Sequence, residues 1–202
     1  MCYASAVRSK YARARVVKID SSKACAMEGV IGVLTAADVP HNQVGHLIQD
    51  WDVMIAEGDV TRCIGDAVCL VVAETPEILE KAKKAVKVTW EELEPVRNIE
   101  EARAEGAPRI HDSFFAFGNT VQLKDNVCQS RHVTRGDAKT ALANAAHRVT
   151  RTFTTPFTEH AFLEPECCVA MPYKNGVKIM STDQGAYDTR KECAHMFGWD
   201  GE

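Results

Sequence analysis

Several common signatures of function are missing from this 202-residue chain. No apolar run approaches the roughly 20 residues needed to cross a bilayer as a helix; the longest, Ala67 to Ala73, suits a buried strand. The eight cysteines include no Cys-x-x-Cys pair, which argues against an iron–sulfur cluster or structural zinc built by this chain alone. They are scattered, several of them inside apolar patterns, and are expected to be reduced thiols. Gly29-Val30-Ile31-Gly32, Gly118-Asn119 and Gly136-Asp137 match neither phosphate-loop pattern and read as turns. No serine lies in a Gly-x-Ser-x-Gly elbow and no cysteine has a credible adjacent base, so nucleophilic catalysis has no support. A net charge of −4 without long basic runs leaves no footprint for nucleic acid or an anionic membrane. Met1-Cys2-Tyr3-Ala4 opens directly into strand-like sequence, without the basic and apolar regions of a signal peptide, so the expected location is cytoplasmic.

What is present is ordinary globular material, with 46% hydrophobic residues, enough for one large or two small cores. Tyr3 to Arg8, Ala14 to Asp20 and Val30 to Leu34 read as strands, with a short helix over Ser21 to Met27. Thr35-Ala36-Ala37-Asp38 has the form of a capping box around a single turn. From His41 to Arg62 an irregular surface excursion is expected, with one short strand around Val53 to Ala56. Asp66 to Ala73 is the clearest strand. Thr75-Pro76-Glu77 opens the clearest helix, with a hydroxyl cap, a proline at the first position and an acid in the first turn. Ile78, Leu79, Ala82 and Ala85-Val86 fall on one face. A strand over Lys87 to Glu91 follows, and strand, helix, strand predicts a crossover with a parallel pair in a mixed sheet. Further along, Ile99 to Glu105 reads as a helix and Asp112 to Asn126 as a linker whose Phe114, Phe115 and Phe117 pack against something. A helix from Ala138 is capped by Asp137, and a long strand is expected over His147 to Thr155.

Two stretches carry the most chemistry. Thr154 to Ala170 sets His160 and the carboxylates Glu159, Glu164 and Glu166 among apolar residues, an arrangement that is expensive unless each charge finds a partner. His160 and Glu164 have the spacing of one helical face and could ligate a metal, but no His-Glu-x-x-His exists. That Glu159, His160 and Glu164 satisfy buried backbone groups or each other at a turn into a strand is the better account of them. The second stretch, Ser181-Thr182-Asp183-Gln184-Gly185, lies between the strand-like Gly176 to Ser181 and a helix near Tyr187, a junction where α/β proteins often hold ligands. Taken alone, Gln184 could simply cap that helix.

Together with Gly65 to Thr75, Ala82 to Val88 and Trp90-Glu91-Glu92-Leu93-Glu94-Pro95-Val96, these stretches resemble the large subunit of the molybdenum hydroxylases, the xanthine dehydrogenase and aldehyde oxidase family. Among them the purine-hydroxylating xanthine dehydrogenases are the most similar. The resemblance implies an α+β fold: a hammerhead domain over 1–112 of mixed sheet with packed helices, a linker over 113–130, and the first part of a molybdopterin-binding domain over 131–202. Gln184 matches the glutamine that hydrogen-bonds the molybdenum group, with Asp183 and Gly185 beside it as cofactor-binding residues. Asp183 departs from the neutral residue more usual there, and glycine would let backbone come close to a bulky cofactor.

The same resemblance implies oxidation of purines, or of related heterocycles and aldehydes, with water as the oxygen source. It implies molybdopterin with molybdenum, in bacterial members often as the cytosine dinucleotide, with iron–sulfur clusters and FAD on other domains or subunits as partners. The family's glycine-rich loop and catalytic glutamate do not occur in this sequence, so no catalytic residue and no metal ligand is assigned here. The chain reads as a truncated subunit, expected to be inactive alone. The other reading is a non-catalytic hammerhead-type module for assembly or binding.

Overall fold

The computed structural model describes residues 1–46, 48–116, 119–122, 125–127, 130–163 and 165–199, with the backbone only over 114–122. Residues 1–126 together with the helix from Tyr187 onward form one compact unit, and 127–186 form a second.

The first unit is built on β6 (Ala67–Ala73), whose Val68, Cys69, Val71 and Ala73 are fully buried. Its two edges pair antiparallel with β1 (Tyr3–Arg8) and β3 (Val30–Thr35), so that Val71 lies between Ser5 and Val33. A run of β-branched and small apolar residues suits this central place, because both edges and one face are covered. α2 (Pro76–Ala85) supplies the cover with Leu79 and Ala82, as its apolar spacing predicts. Thr75 Oγ1 accepts the Ile78 amide at 3.3 Å, so the helix starts where its cap predicts. The first helix is shorter than expected, α1 (Ser22–Cys25), and Ala24 joins the same core. Thr35 and Asp38 close the capping box around a single 3-10 turn, Ala36–Asp38.

Where the chain departs from expectation, long-range pairing is the cause. β7 (Lys87–Glu92) does not return to β6 as a parallel neighbour. It pairs antiparallel with β2 (Ala14–Asp20), and every strand pairing among the described residues is antiparallel. The excursion after His41 holds β4 (Gln43–Val44) and β5 (Trp51–Asp52) rather than a strand over 53–56. Met54 and Ile55 are nevertheless buried, because other groups replace a strand partner. Asn42 accepts the Met54 amide at 3.0 Å through Oδ1 and donates Nδ2 to its carbonyl at 2.7 Å, while the Ile55 amide reaches the Ala67 carbonyl at 2.8 Å.

After α3 (Ile99–Arg103), capped by Asn98, the expected linker contains a hairpin of β8 (Ser113–Ala116) and β9 (Asn119–Gln122). The packing expected of Phe114, Phe115 and Phe117 lies outside the described residues. Within the second unit α4 (Ala138–Asn144) starts at Asp137, which accepts the Thr140 amide at 3.0 Å. No strand forms over 147–155; alternation alone makes none without a neighbour to take its hydrogen bonds. β10 (Cys168–Tyr173) and β11 (Gly176–Ser181) make an antiparallel hairpin. α5 (Ala186–Phe197) follows. Among the described residues no helix is long and apolar enough to cross a membrane, and no disulfide joins the described cysteines; Cys128 lies outside them.

Two measurements test this packing. Asn42→Ala leaves both backbone groups of Met54 without their partner, so the urea midpoint should fall by the equivalent of about 1–3 kcal/mol. Burial pushes the Cys69 thiol up to about 11 from an ordinary 9.0. The folded chain therefore keeps this proton after the unfolded chain has lost it, and stability from this group is complete below pH 9.0 and declines as pH rises toward about 11. In folded protein at pH 8 an alkylating reagent should modify the exposed Cys2, Cys25 and Cys167 and spare Cys69, as peptide mass mapping would show; early labelling of Cys69 contradicts its burial.

Candidate functional site

The step from β11 to α5 is a short polar turn. Asp183 organises it: Oδ1 accepts the Gly185 amide at 2.7 Å, and Oδ2 accepts the Ser181 hydroxyl. A carboxylate bonding the amide two residues on is a side-chain imitation of a backbone turn. That gives the acid at 183 a local structural task. Thr182 Oγ1 accepts the Cys167 amide at 3.4 Å and ties the end of β11 to the start of β10. Gln184, between the two anchored residues, is exposed, and its carboxamide has no hydrogen-bond partner among the described residues. The three residues singled out in the sequence are therefore brought together, with Asp183 shaping the backbone and the Gln184 amide left uncommitted.

The Thr154 to Ala170 stretch behaves differently from expectation. No helix forms over 154–163, so the one-face spacing of His160 and Glu164 has no helical basis there, and Glu164 lies outside the described residues. Glu159, His160 and Glu166 are exposed, hence no desolvation cost arises in this chain and no special partner is demanded. Glu159 Oε1 accepts the His160 amide at 3.0 Å, a local backbone role. Among the described residues no three His, Cys, Asp or Glu side chains gather as a metal site.

A feature that the sequence did not announce lies in the first unit, where α5 meets the segment from His41 to His46. The Glu192 carboxylate accepts the Gly45 amide at 3.0 Å, Asp188 Oδ1 stands 3.3 Å from His46 Nδ1, the His195 ring stacks on His41 with centroids 5.2 Å apart, and the Met196 carbonyl accepts the His41 amide at 3.1 Å. Positions 188, 192, 195 and 196 follow helical spacing and so share one face. The spacing of Asp188, Glu192 and His195 was the available signal. A partner 147 residues away could not be read from it.

Beside this contact an open cavity of about 720 Å³ is lined by Val44, Trp51, Ile64, Glu192, Cys193 and Met196, among others. Its carboxylates already have partners. Asp52 pairs with Arg62, whose Nε also donates to the Ile110 carbonyl at 3.1 Å. Asp66 accepts the Arg62 amide at 2.6 Å, the Cys63 amide at 3.2 Å and the Cys63 thiol at 3.2 Å. Burial first, then the bond to Asp66, pushes the Cys63 thiol up, the opposite of what a nucleophile needs.

Residues 1–94 match the family described as aldehyde oxidase and xanthine dehydrogenase, a/b hammerhead domain, and residues 120–202 match the molybdopterin cofactor-binding domain. The chain is 34% identical to the nicotinate dehydrogenase large molybdopterin subunit of Eubacterium barkeri over 97% of its own length and 44% of that protein's. It is 32% identical to a probable xanthine dehydrogenase subunit of Bacillus subtilis (strain 168), over 98% of this chain and 25% of that one. Among solved structures, quinoline 2-oxidoreductase of Pseudomonas putida 86 superposes over 99% of this chain and 25% of its own, at a TM-score of 0.74 and 26% identity. Aldehyde oxidoreductase from Desulfovibrio gigas shares the fold at a TM-score of 0.80 and 24% identity, over 99% of this chain and 22% of its own. The chain thus spans less than half the length of these relatives. Both halves of the sequence point the same way, and the chain belongs to the molybdenum hydroxylase family of xanthine dehydrogenase and aldehyde oxidase type, of which it carries the hammerhead domain and the start of the molybdopterin-binding domain.

Proposed function

We propose that this chain is part of the large subunit of a molybdenum-dependent hydroxylase that oxidises a nitrogen heterocycle of purine-like type with water as the oxygen source, and that Gln184 is its contact with the cofactor. The observation that carries the reading is the uncommitted Gln184 carboxamide at the turn between β11 and α5, within the part matched to the cofactor-binding domain. Nicotinate and xanthine, the compounds in the names of two relatives above 30% identity, are both nitrogen heterocycles, which favours that substrate class over aldehydes. The division we infer is a hammerhead domain over 1–112, a linker over 113–130 and the cofactor domain from 131.

The residues present suit a molybdopterin group. Its polar oxygens need hydrogen-bond donors, and Gln184 offers an amide that neither titrates nor is already spent. Asp183 holds the Gly185 amide, so the backbone on both sides of Gln184 is set before a ligand arrives. The bound molybdenum centre supplies the redox chemistry and the activation of water. The role of Gln184 is to donate a hydrogen bond from Nε2 to the cofactor, which orients it and steadies charge as that charge develops. Asp183 acts one step back, by fixing the turn. We further infer that the cofactor is molybdopterin, either as such or in its cytosine dinucleotide form, and that iron–sulfur and FAD domains or subunits, with the remainder of the large subunit, complete the enzyme.

Gln184→Ala in the complete enzyme tests the reading. Loss of one preorganised donor should lower turnover per bound molybdenum by the equivalent of about 3 kcal/mol, with the melting temperature nearly unchanged because Gln184 is exposed. Full turnover per bound molybdenum together with a small loss of thermal stability would make Gln184 a helix-capping residue and remove it from the site.

A further inference from the structure

Cys167 and Cys168 are consecutive, and both are exposed and outside any disulfide. Exposed thiols are the ones open to oxidation, and a thiol on the next residue can resolve the first oxidation product before it goes further. The pair sits where β10 begins. Cys168 is its first residue and faces Ser181 across the ladder, while Cys167 precedes the strand and gives its amide to Thr182 Oγ1 at 3.4 Å. The two cysteines are therefore fastened to Ser181 and Thr182, which lead into the turn at Asp183. Ser181 donates its hydroxyl to one oxygen of Asp183, whose other oxygen holds the Gly185 amide. All of these residues lie in the second unit.

A hydroperoxide oxidises such a pair in two steps. One thiolate attacks a peroxide oxygen and breaks the O–O bond, so that its sulfur becomes a sulfenic acid and the peroxide is reduced to an alcohol, or to water for hydrogen peroxide. The neighbouring thiol then displaces water from the sulfenic acid and closes a sulfur–sulfur bond. Consecutive Cα atoms stand about 3.8 Å apart, inside the roughly 4.4–6.8 Å of an ordinary disulfide, so the ring closes only by twisting the backbone between the two residues. Such a bond is strained and readily reduced by a thiol, which makes it a reversible mark and not a staple. The twist falls at the open end of the β10–β11 hairpin, on its last rung and on a single side-chain bond to Thr182. Those are the weakest holds of the hairpin, because no further rung supports them.

We propose that Cys167–Cys168 is a reversible oxidation site, closed to a vicinal disulfide by a hydroperoxide and reopened by a thiol, and that its closure loosens the turn that carries Gln184. Once Ser181 and Thr182 are released from the cysteines, Asp183 is anchored on a moving strand end and its hold on the Gly185 amide weakens. An effect on a bound cofactor rests on the reading of Gln184 given above; the oxidation and the loosening of the turn do not.

The test treats the complete enzyme with hydrogen peroxide, then with an alkylating reagent, and reads tryptic peptide masses and amide hydrogen exchange before and after dithiothreitol. The tryptic peptide from Thr152 to Lys174 holds these two cysteines and no other. It is expected to lose the mass of two hydrogens and to resist alkylation, both reversed by dithiothreitol, with fragment masses separating any oxygen gained by Met171. The Gly185 amide is expected to exchange faster in the oxidised protein by roughly 3- to 10-fold, the equivalent of one net hydrogen bond, and to return to its former rate on reduction. Cys167→Ser and Cys168→Ser should each abolish the loss of two hydrogens and the change at Gly185; should either fail to fold, the wild-type protein decides by itself. Thiols that stay alkylatable, sulfinic or sulfonic acid at either cysteine, or a bond from either to a cysteine elsewhere overturns the site. A vicinal bond that leaves Gly185 exchange as it was overturns the coupling to the turn, and the proposal with it. Neither result bears on the reading of Gln184, which stands or falls with turnover of Gln184→Ala.

Discussion

The side chains of β6 have to be covered on both edges and one face at once, and most of the first unit is the means of doing it. Val68, Cys69, Val71 and Ala73 are fully buried, and burying each valine stabilises the fold by about 1.5–3 kcal/mol relative to exposure. β1 and β3 take its two edges, α2 takes the face with Leu79 and Ala82, and α1 adds Ala24. At the entrance to the strand Asp66, itself buried, satisfies the amides of Arg62 and Cys63. A carboxylate in that position is tolerable because its oxygens accept several donors. The turn into β6 and the strand itself are in this way one construction.

Apolar burial explains why the unit holds together but not how α5 is oriented on it. The helix faces the His41 to His46 segment with a carboxylate, a histidine ring and a carbonyl, groups that weigh little in stability and much in direction. The neighbouring cavity has the same character. Its carboxylates are already engaged by Arg62 and by main-chain amides, which leaves the apolar side chains of Val44, Trp51 and Met196 as the surface on offer.

At the turn before α5 the division of labour is finer still. Asp183 spends both oxygens on its own neighbours, Ser181 and Gly185. This reconciles an acid at that position with a reading in which the adjacent amide meets a ligand, because a carboxylate engaged on both oxygens serves the backbone first. The exposed Glu159, His160 and Glu166 mark the other side of the same rule: in water a charged group needs no partner, so close spacing in sequence carries no chemistry by itself.

Local signals in the sequence determined the elements whose causes are local. Thr75 with Pro76 starts α2, Thr35 with Asp38 closes a turn, Asp137 starts α4, and the apolar run from Ala67 to Ala73 becomes the central strand. The residues proposed for the cofactor were legible too, since Gln184 stands at a strand-to-helix step visible in the pattern. The tertiary structure alone decided which strands pair. β7 joins β2 instead of β6, Gln43–Val44 joins Trp51–Asp52, Ser113–Ala116 pairs with Asn119–Gln122 where a linker was expected, and 147–155 finds no partner strand among the described residues. It also decided that Glu192 would meet the Gly45 amide. A cap or an amphipathic face is satisfied within one or two turns of chain, whereas a strand or a helix seat is satisfied by groups tens of residues away, and those become neighbours only when the whole chain has folded.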